Sequence, residues 1–182
     1  MIDSQLRTSG VNEPFVLARM GAVPREDFVP PAARAAAYMD RAVALGDGRF
    51  LAAPLVQGRM LAEAAPRADD VALVVDGGSG YLAELLLPMV GKLEVTTPAD
   101  ALAKGSDGGF SLLVIDGAIE ALPDTLANQL EEGGRVVTGL VQRGVTRLAA
   151  GRKIGGEVAL LPLAEIGMPR LAEFDLPKGW SF

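Results

Sequence analysis

Histidine and cysteine are both absent from this chain of 182 residues. Without them the chain cannot supply Ser-His-Asp or Cys-His catalytic groups, nor the His and Cys ligands that zinc prefers. The lack of cysteine also means that nothing indicates an oxidising compartment. A site made only of carboxylates stays open, but we expect scattered acids such as Asp69, Asp70 and Asp76 to be solvated or capping residues. We therefore predict no metal.

Basic residues are in the minority, since 17 lysines and arginines stand against 23 acidic residues, which gives a net charge of −6. They are scattered, whereas electrostatic binding to nucleic acid needs a concentrated cationic face, so we predict no nucleic-acid partner. The opening MIDSQLRTSG has no basic and then apolar signal region, and the apolar run after Val71 is broken by Asp76, glycines and Pro88. We predict no membrane association, and we expect a cytoplasmic location.

Apolar residues make up 49% of the chain, which is enough for one substantial core. We predict a single domain over residues 1–182, with a mainly helical region over residues 1–65 and an α/β core over residues 66–182. The expected strands are 71–75, 93–96, 111–115, 135–140, 145–148 and 158–163. Most of the first four are apolar throughout, which is typical of buried parallel strands, and the last two suit an antiparallel hairpin.

Residues 71–90, VALVVDGGSGYLAELLLPMV, predict a strand, a tight turn and a helix. Glycine suits such a turn because it tolerates unusual backbone angles and lets a ligand approach the main chain, so Gly77, Gly78 and Gly80 indicate a nucleotide-type site. We expect a positive φ at Gly77 or Gly78, and free amides facing a cleft in the first helical turn. The dinucleotide pattern G-x-G-x-x-G is not matched, which disfavours a nicotinamide oxidoreductase.

Several segments, in order along the chain, resemble the protein-L-isoaspartate (D-aspartate) O-methyltransferases, a family that uses S-adenosylmethionine. Gly78, Gly80 and Tyr81 are similar to its first cofactor motif, and Gln142 also fits the family. The other matching segments are residues 3–7 (DSQLR), 23–30 (VPREDFVP), 37–42 (AYMDRA), 126–137 (LANQLEEGGRVV) and 158–163 (VALLPL). The resemblance therefore covers nearly the whole chain.

The resemblance implies a Rossmann-like methyltransferase fold, with a mostly parallel sheet and a C-terminal antiparallel hairpin. It also implies transfer of a methyl group from S-adenosylmethionine to isoaspartyl carboxyl groups of peptides or proteins. A carboxylate is already a competent nucleophile, so we assign no catalytic residue and expect the protein mainly to align the two reactants. The implied cofactor residues are Gly77, Gly78, Ser79, Gly80, Tyr81, Thr97 and Asp116, which ends the strand LLVID, and the implied substrate residues are Ala52, Ala53 and Pro54.

The chain also departs from the family pattern. Val74 and Thr97 stand where the family has carboxylates, and Ala52 stands where it has a serine or threonine. The family has a helix, a strand and a helix between its second and fourth strands, but only residues 98–109 are available here. One crossover already needs about 10 to 12 residues, so we expect one edge strand and its helix to be missing.

Two hypotheses follow from these departures. The chain is either a methyltransferase whose activity is reduced or lost, or a family member retained without the cofactor as a binding or assembly module. The sequence indicates neither the natural substrate nor the oligomeric state.

Overall fold

The computed structural model describes residues 1–103 and 108–177, and within them the chain forms a six-stranded mixed sheet with helices on both faces. The α-helices of this part of the chain are α1 (Pro14–Ala22), α2 (Pro54–Ala64), α3 (Tyr81–Leu86), α4 (Pro98–Ala103) and α5 (Asp124–Ala127). A π-helical turn covers Ile2–Leu6, and 3-10 turns cover Arg7–Ser9, Arg25–Phe28, Pro31–Ala36, Leu87–Met89 and Ala172–Phe174. The strands are β1 (Val43–Gly46), β2 (Arg49–Leu51), β3 (Val71–Val75), β4 (Lys92–Thr96), β5 (Phe110–Ile119), β6 (Leu130–Gln142), β7 (Val145–Ile154) and β8 (Glu157–Glu165).

The main sheet has the strand order β4-β3-β5-β6-β7-β8. The first four of these strands run parallel, whereas β7 and β8 are antiparallel to their neighbours. The expected mostly parallel sheet with a C-terminal antiparallel hairpin is therefore confirmed. The two hairpin strands are longer than predicted, because they continue to a tight turn at Gly155 and Gly156.

The region before residue 66, which the sequence predicted to be mainly helical, also contains two strands. It contains a separate antiparallel hairpin of β1 and β2. Asp47 and Gly48, which join the two strands, have φ values of 49° and 73°. Two consecutive positive φ angles match the right-handed twist of a hairpin, and Asp-Gly is a favoured pair for such a turn.

The parallel strands are buried on both faces. Alternation sends Val74 of β3 and Val114 of β5 into a cluster with α1, α2 and α3. Val75 and Ile115, one residue further along each strand, belong to a second cluster with residues of α4 and α5 and with residues 171 and 174. The prediction that the continuous apolar runs are parallel strands buried between two helical layers is therefore confirmed.

A polar cluster ties together the beginnings of three parallel strands. Ser111 and Arg135 donate to the two carboxylate oxygens of Asp70 at 2.7 and 2.6 Å. Burial raises the pKa of Asp70, but hydrogen bonds from Ser111, the Arg67 amide and Arg135 outweigh it and lower the pKa below its ordinary value. Asp70 is thus a structural carboxylate at the edge of the sheet opposite the glycine turn.

Residues 166–177, here called the C-terminal segment, return to β5. The Ala118 amide donates to Pro169 O at 2.7 Å, and the Leu171 amide donates to Ala118 O at 2.9 Å. Leu171 also covers Gly117 so closely that a Cβ there would lie 2.6 Å from Leu171 Cγ. Both β6 and this segment pair with β5 beyond Ile115, so Asp116 lies inside the strand. The sequence-based expectation that Asp116 ends the strand was wrong.

The connection from β4 to β5 contains α4, and residues 104–107 of this connection lie outside the described range. Within that range β4 forms one edge of the main sheet, as expected for a missing outer strand. Among residues 1–103 and 108–177, no helix has the length and apolar character needed to cross a membrane.

Candidate functional site

The candidate site lies where the connections of the sheet diverge. After β3 the chain moves to β4 on one side, and it then crosses to β5 on the other side of β3. Ligands of open α/β sheets bind at the carboxyl ends of the strands, at such a switch point. Val75 pairs with both Thr96 and Ile115, so the residues after β3 and β4 and the later part of β5 meet at one edge. The predicted cofactor residues are brought together there.

The glycine turn after β3 has the backbone geometry expected from its sequence. Gly78 has a φ of 112° and Gly80 a φ of 72°, so the expected positive φ is confirmed at Gly78. Gly77 is needed for a different reason, because a Cβ there would overlap the carbonyl oxygen of Asp116. The turn therefore rests directly on the backbone of β5.

Two amides at the turn are hydrogen bonded to side chains, so the Tyr81 amide in the first helical turn is not free, contrary to the expectation. The Gly80 amide donates to Asp76 Oδ1 at 2.9 Å, and the Tyr81 amide donates to Ser79 Oγ at 3.2 Å. Asp and Ser side chains compete in this way for amides that a helix start leaves unpaired. A Cβ at Gly80 would meet no described heavy atom within 4 Å, so this side of the turn is open.

Thr97 directly follows β4, and its hydroxyl caps the first turn of α4. Thr97 Oγ1 accepts from the Asp100 amide at 3.1 Å and donates to Asp100 Oδ2 at 3.0 Å. This is the hydrogen bonding of a helix N-cap. A ribose hydroxyl would have to share Thr97 with this capping interaction.

The residues implied for substrate binding lie at the start of α2 and are all buried. Ala52 and Ala53 belong to the core, as does Pro54, the first residue of α2. Ala52 offers a carbonyl oxygen, but Arg25 already donates to it at 2.6 Å. Their side chains therefore shape the wall of the site and present no polar group to a substrate.

A buried polar chain runs behind the glycine turn. Arg25 Nη1 donates to Gln57 Oε1 at 2.6 Å, and Gln57 Nε2 lies 3.4 Å from Asp116 Oδ2. Arg25 also lies over the ring of Tyr81, at 4.8 Å from the centroid. Burial lowers the pKa of Arg25, which still makes these hydrogen bonds and lies fully within the core.

Asp116 is the most strongly perturbed acid of the site. Only 6% of the residue is exposed, and this burial, together with the nearby Asp76 carboxylate, raises its pKa to about 7. Hydrogen bonds from Gln57 and Ser79 and the charge of Arg25 oppose the rise. A buried carboxyl that titrates near neutrality at a sheet switch point is a candidate functional group.

Arg49 crosses the outer face of the glycine turn. A Cβ at Gly78 would lie 2.9 Å from both Cβ and Cγ of Arg49, so the arginine side chain lies against this glycine. Its guanidinium forms an ion pair with Glu173, and the two side chains are 31% and 27% exposed. Residues from the β1–β2 hairpin and the C-terminal segment therefore meet over the turn.

Sequence reasoning did not find Arg49, Glu173, Gln57 or the role of Arg25. The segment VPREDFVP contained Arg25, but only as part of the family resemblance. Glu173 lies 124 positions after its partner Arg49, and no local pattern reports a contact over that distance.

Comparison with known proteins gives a consistent result. Residues 1–97 match the family model described as protein-L-isoaspartate(D-aspartate) O-methyltransferase. A protein-L-isoaspartate O-methyltransferase of Methanoculleus marisnigri is 29% identical over 100% of this chain and 92% of its own length. A protein-L-isoaspartate O-methyltransferase 2 of an Anaeromyxobacter species is 33% identical over 75% of this chain and 67% of its own length.

Solved structures agree on the fold. The structure described as a protein-L-isoaspartate O-methyltransferase of Plasmodium falciparum in complex with S-adenosyl-L-homocysteine superimposes with a TM-score of 0.75. The match covers 92% of this chain and 95% of that one at 16% identity. A second protein-L-isoaspartate O-methyltransferase gives a TM-score of 0.73, covering 91% of this chain and 63% of that one at 15% identity.

The sheet, its switch-point turn and these structural matches define a Rossmann-like methyltransferase fold. Within that class, the family model and the relative at 33% identity decide the family. The chain belongs to the protein-L-isoaspartate (D-aspartate) O-methyltransferase family, which confirms the resemblance seen in the sequence.

Proposed function

We propose that this chain binds S-adenosylmethionine weakly at the switch point and transfers its methyl group to isoaspartyl carboxyl groups of peptides or proteins. The observation that carries the proposal is the left-handed backbone at Gly78 and Gly80 beside the open face of the turn. Backbone of this kind lets a ligand approach the main chain closely. Gly77, Gly78, Ser79, Gly80, Tyr81, Thr97 and Asp116 would line the cofactor, as the family resemblance implies.

The residues fit the cofactor only in part. The turn offers an open backbone face, but at the end of β4 the ribose would meet Thr97, whose hydroxyl already caps α4. A hydrogen bond to a charged group contributes about 1.5 to 3 kcal/mol. Without a carboxylate at position 97, the ribose hydroxyls lose two such bonds, which weakens binding by roughly a hundred-fold to ten-thousand-fold. This arithmetic supports reduced affinity.

The proposed reaction makes modest chemical demands on the protein. A substrate carboxylate oxygen takes the methyl group as the bond from carbon to the sulfonium sulfur breaks, and the sulfur keeps the electron pair. No proton has to move, so the lack of histidine is no obstacle. The protein would act mainly by holding the carboxylate in line with the methyl group.

Titration with S-adenosylhomocysteine tests the cofactor proposal. For a cofactor otherwise held at about 1 μM, the loss of two charge-assisted hydrogen bonds predicts a wild-type Kd of about 0.1 to 10 mM. Thr97→Asp should tighten binding by roughly tenfold, because an aspartate keeps an acceptor for the Asp100 amide and adds a carboxylate for the ribose. Isothermal titration calorimetry measures both values.

Thr96→Asp is the matched control, because Thr96 is the last residue of β4 and its side chain does not cap α4. It adds the same charge one position earlier and should leave the affinity within about twofold of the wild-type value. If neither the wild type nor Thr97→Asp binds S-adenosylhomocysteine at several millimolar, the cofactor proposal is wrong.

Transfer of a labelled methyl group to a peptide with one isoaspartyl residue tests the reaction itself. We expect slow but measurable transfer, and none to the same peptide with that carboxyl replaced by a carboxamide. Equal labelling of the two peptides, or no labelling by either the wild type or Thr97→Asp, would contradict the assigned activity.

One observation favours the second candidate, a binding or assembly module without the cofactor. The side chain of Arg49, which is paired with Glu173, lies against Gly78, so part of the turn is in contact with the chain itself. If no methyl transfer occurs, this second candidate becomes the proposed function. The cytoplasmic location expected from the sequence stays a prediction, as do the single domain over residues 1–182 and the lack of nucleic-acid and membrane partners.

A further inference from the structure

A substrate that accepts the methyl group through a carboxylate is held most strongly by a charged hydrogen-bond donor close to the cofactor turn. Proximity requires this donor to lie within reach of the reacting methyl group. Ala52, at the position implied for substrate binding, has neither a hydroxyl nor an exposed side chain. Some other group must therefore hold the substrate carboxylate.

Arg49 is the cation whose position and exposure meet this need. Its side chain lies against Gly78, and about a third of it is exposed. Arg25 is fully buried and donates to Gln57 and to backbone oxygens. Arg170 lines the same cavity as Arg49, but two carboxylates, those of Glu120 and Asp175, already hold it.

We propose that Arg49 binds the carboxylate of the isoaspartyl substrate, and that Glu173 occupies Arg49 as an internal substitute when no substrate is bound. This assignment rests on the proposed function for its substrate class. A guanidinium can hold a carboxylate through two parallel hydrogen bonds, and both Arg49 nitrogens Nη1 and Nη2 face the two oxygens of Glu173. Glu173 thus shows the geometry that a substrate carboxylate would adopt.

The elements on each side hold this pair in place. The tight turn at Asp47 and Gly48 begins β2 and fixes the backbone of Arg49. Leu171 and Phe174, on either side of Glu173, are buried and anchor the 3-10 turn of the C-terminal segment. An open cavity beside the ion pair is lined by the hairpin turn and by Arg170 and Ala172, so a ligand can reach Arg49 from solvent.

A substrate carboxylate can replace the carboxylate of Glu173 on Arg49 at little energetic cost. Glu173 is more than a quarter exposed, and ion pairs at such positions contribute little net stability. The substrate carboxylate would therefore compete with an internal group of similar chemistry, which lowers the apparent affinity for peptides.

Peptide titrations of the full chain test the assignment. The probe is a hexapeptide with one isoaspartyl residue, and its partner carries a carboxamide in place of that carboxyl. Glu173→Gln should tighten binding of the isoaspartyl peptide by roughly three- to tenfold, because it removes the competitor. Arg49→Gln should weaken binding by roughly tenfold or more, because it removes the charged donor.

Two controls separate this effect from general loss of structure. Arg147→Gln removes an arginine of β7 that is paired with Glu165 and does not line this cavity, and it should leave the Kd within about twofold of the wild-type value. The carboxamide peptide should bind the wild type, Glu173→Gln and Arg49→Gln equally. Circular dichroism checks that each variant is folded.

The outcomes distinguish this assignment from the proposed function. An isoaspartyl peptide that binds Arg49→Gln as well as the wild type, or that fails to bind even Glu173→Gln, overturns the role of Arg49. If the peptide pattern holds but methyl transfer is absent, the activity proposal fails and the carboxylate site stands.

Discussion

Replacing Gly77 with alanine should destabilise the protein by about 3 kcal/mol or more. The new Cβ would overlap the carbonyl oxygen of Asp116, which belongs to the backbone of β5 and cannot rotate away as a side chain can. Either Gly77 or the strand must move, and both Gly77 and this part of β5 are buried. Urea denaturation of the wild type and Gly77→Ala measures the difference in the free energy of unfolding.

Gly21→Ala is the matched control. Gly21 lies in α1, and a Cβ there would meet no described heavy atom within 4 Å. Alanine is the better helix former, so this variant should be more stable than the wild type by about 0.5 to 1 kcal/mol. Equal stability of Gly77→Ala and the wild type would show that the turn does not rest on β5.

Asp116→Asn should stabilise the protein at pH 8 and leave it nearly unchanged at pH 4. Burial raises the pKa of Asp116 from 3.8 to about 7, so the folded state keeps a proton that the unfolded chain releases between these values. The stability of the wild type therefore falls as the pH rises from about 4 to about 7. Asparagine does not ionise, and it still offers an oxygen to Gln57.

The interval between these pKa values limits the stabilisation by Asp116→Asn to about 4 kcal/mol, and we expect it to be about 2 to 4 kcal/mol at pH 8. Urea denaturation at several pH values measures it. Asp69→Asn, at an exposed position, should change stability by less than about 0.5 kcal/mol at every pH. Parallel pH profiles for Asp116→Asn and the wild type would contradict the buried carboxyl.

The sequence predicted the main sheet because its signals are local. Val71–Val75 is apolar throughout, and a buried parallel strand shows this pattern within a few residues. The hairpin of β7 and β8 was found, but its length was not, because Arg152 and Lys153 are polar residues in the outer part of β7. Such residues extend a strand through backbone pairing that hydropathy does not report.

Only the part of the site that is formed by residues close together in the sequence could be predicted. Gly78 was identified because a turn after a strand requires its conformation. The ion pair of Arg49 and Glu173 depends on two segments that meet only in the folded state. The same reason explains why Asp116 was placed at a strand end, since β5 continues beyond it by pairing with the later part of β6 and with the distant Arg170.

The C-terminal segment also affects the order in which the molecule can be completed during synthesis. Residues 166–177 leave the ribosome well after β5 and β6, yet Leu171 covers Gly117 of β5, and Met168 packs on Gly139 of β6. A nascent chain that has made both strands still exposes these glycines to water. The C-terminal segment can therefore pack on β5 and β6 only after the β7–β8 hairpin has been translated. Until then, chaperones and other unfinished chains can reach this part of the sheet.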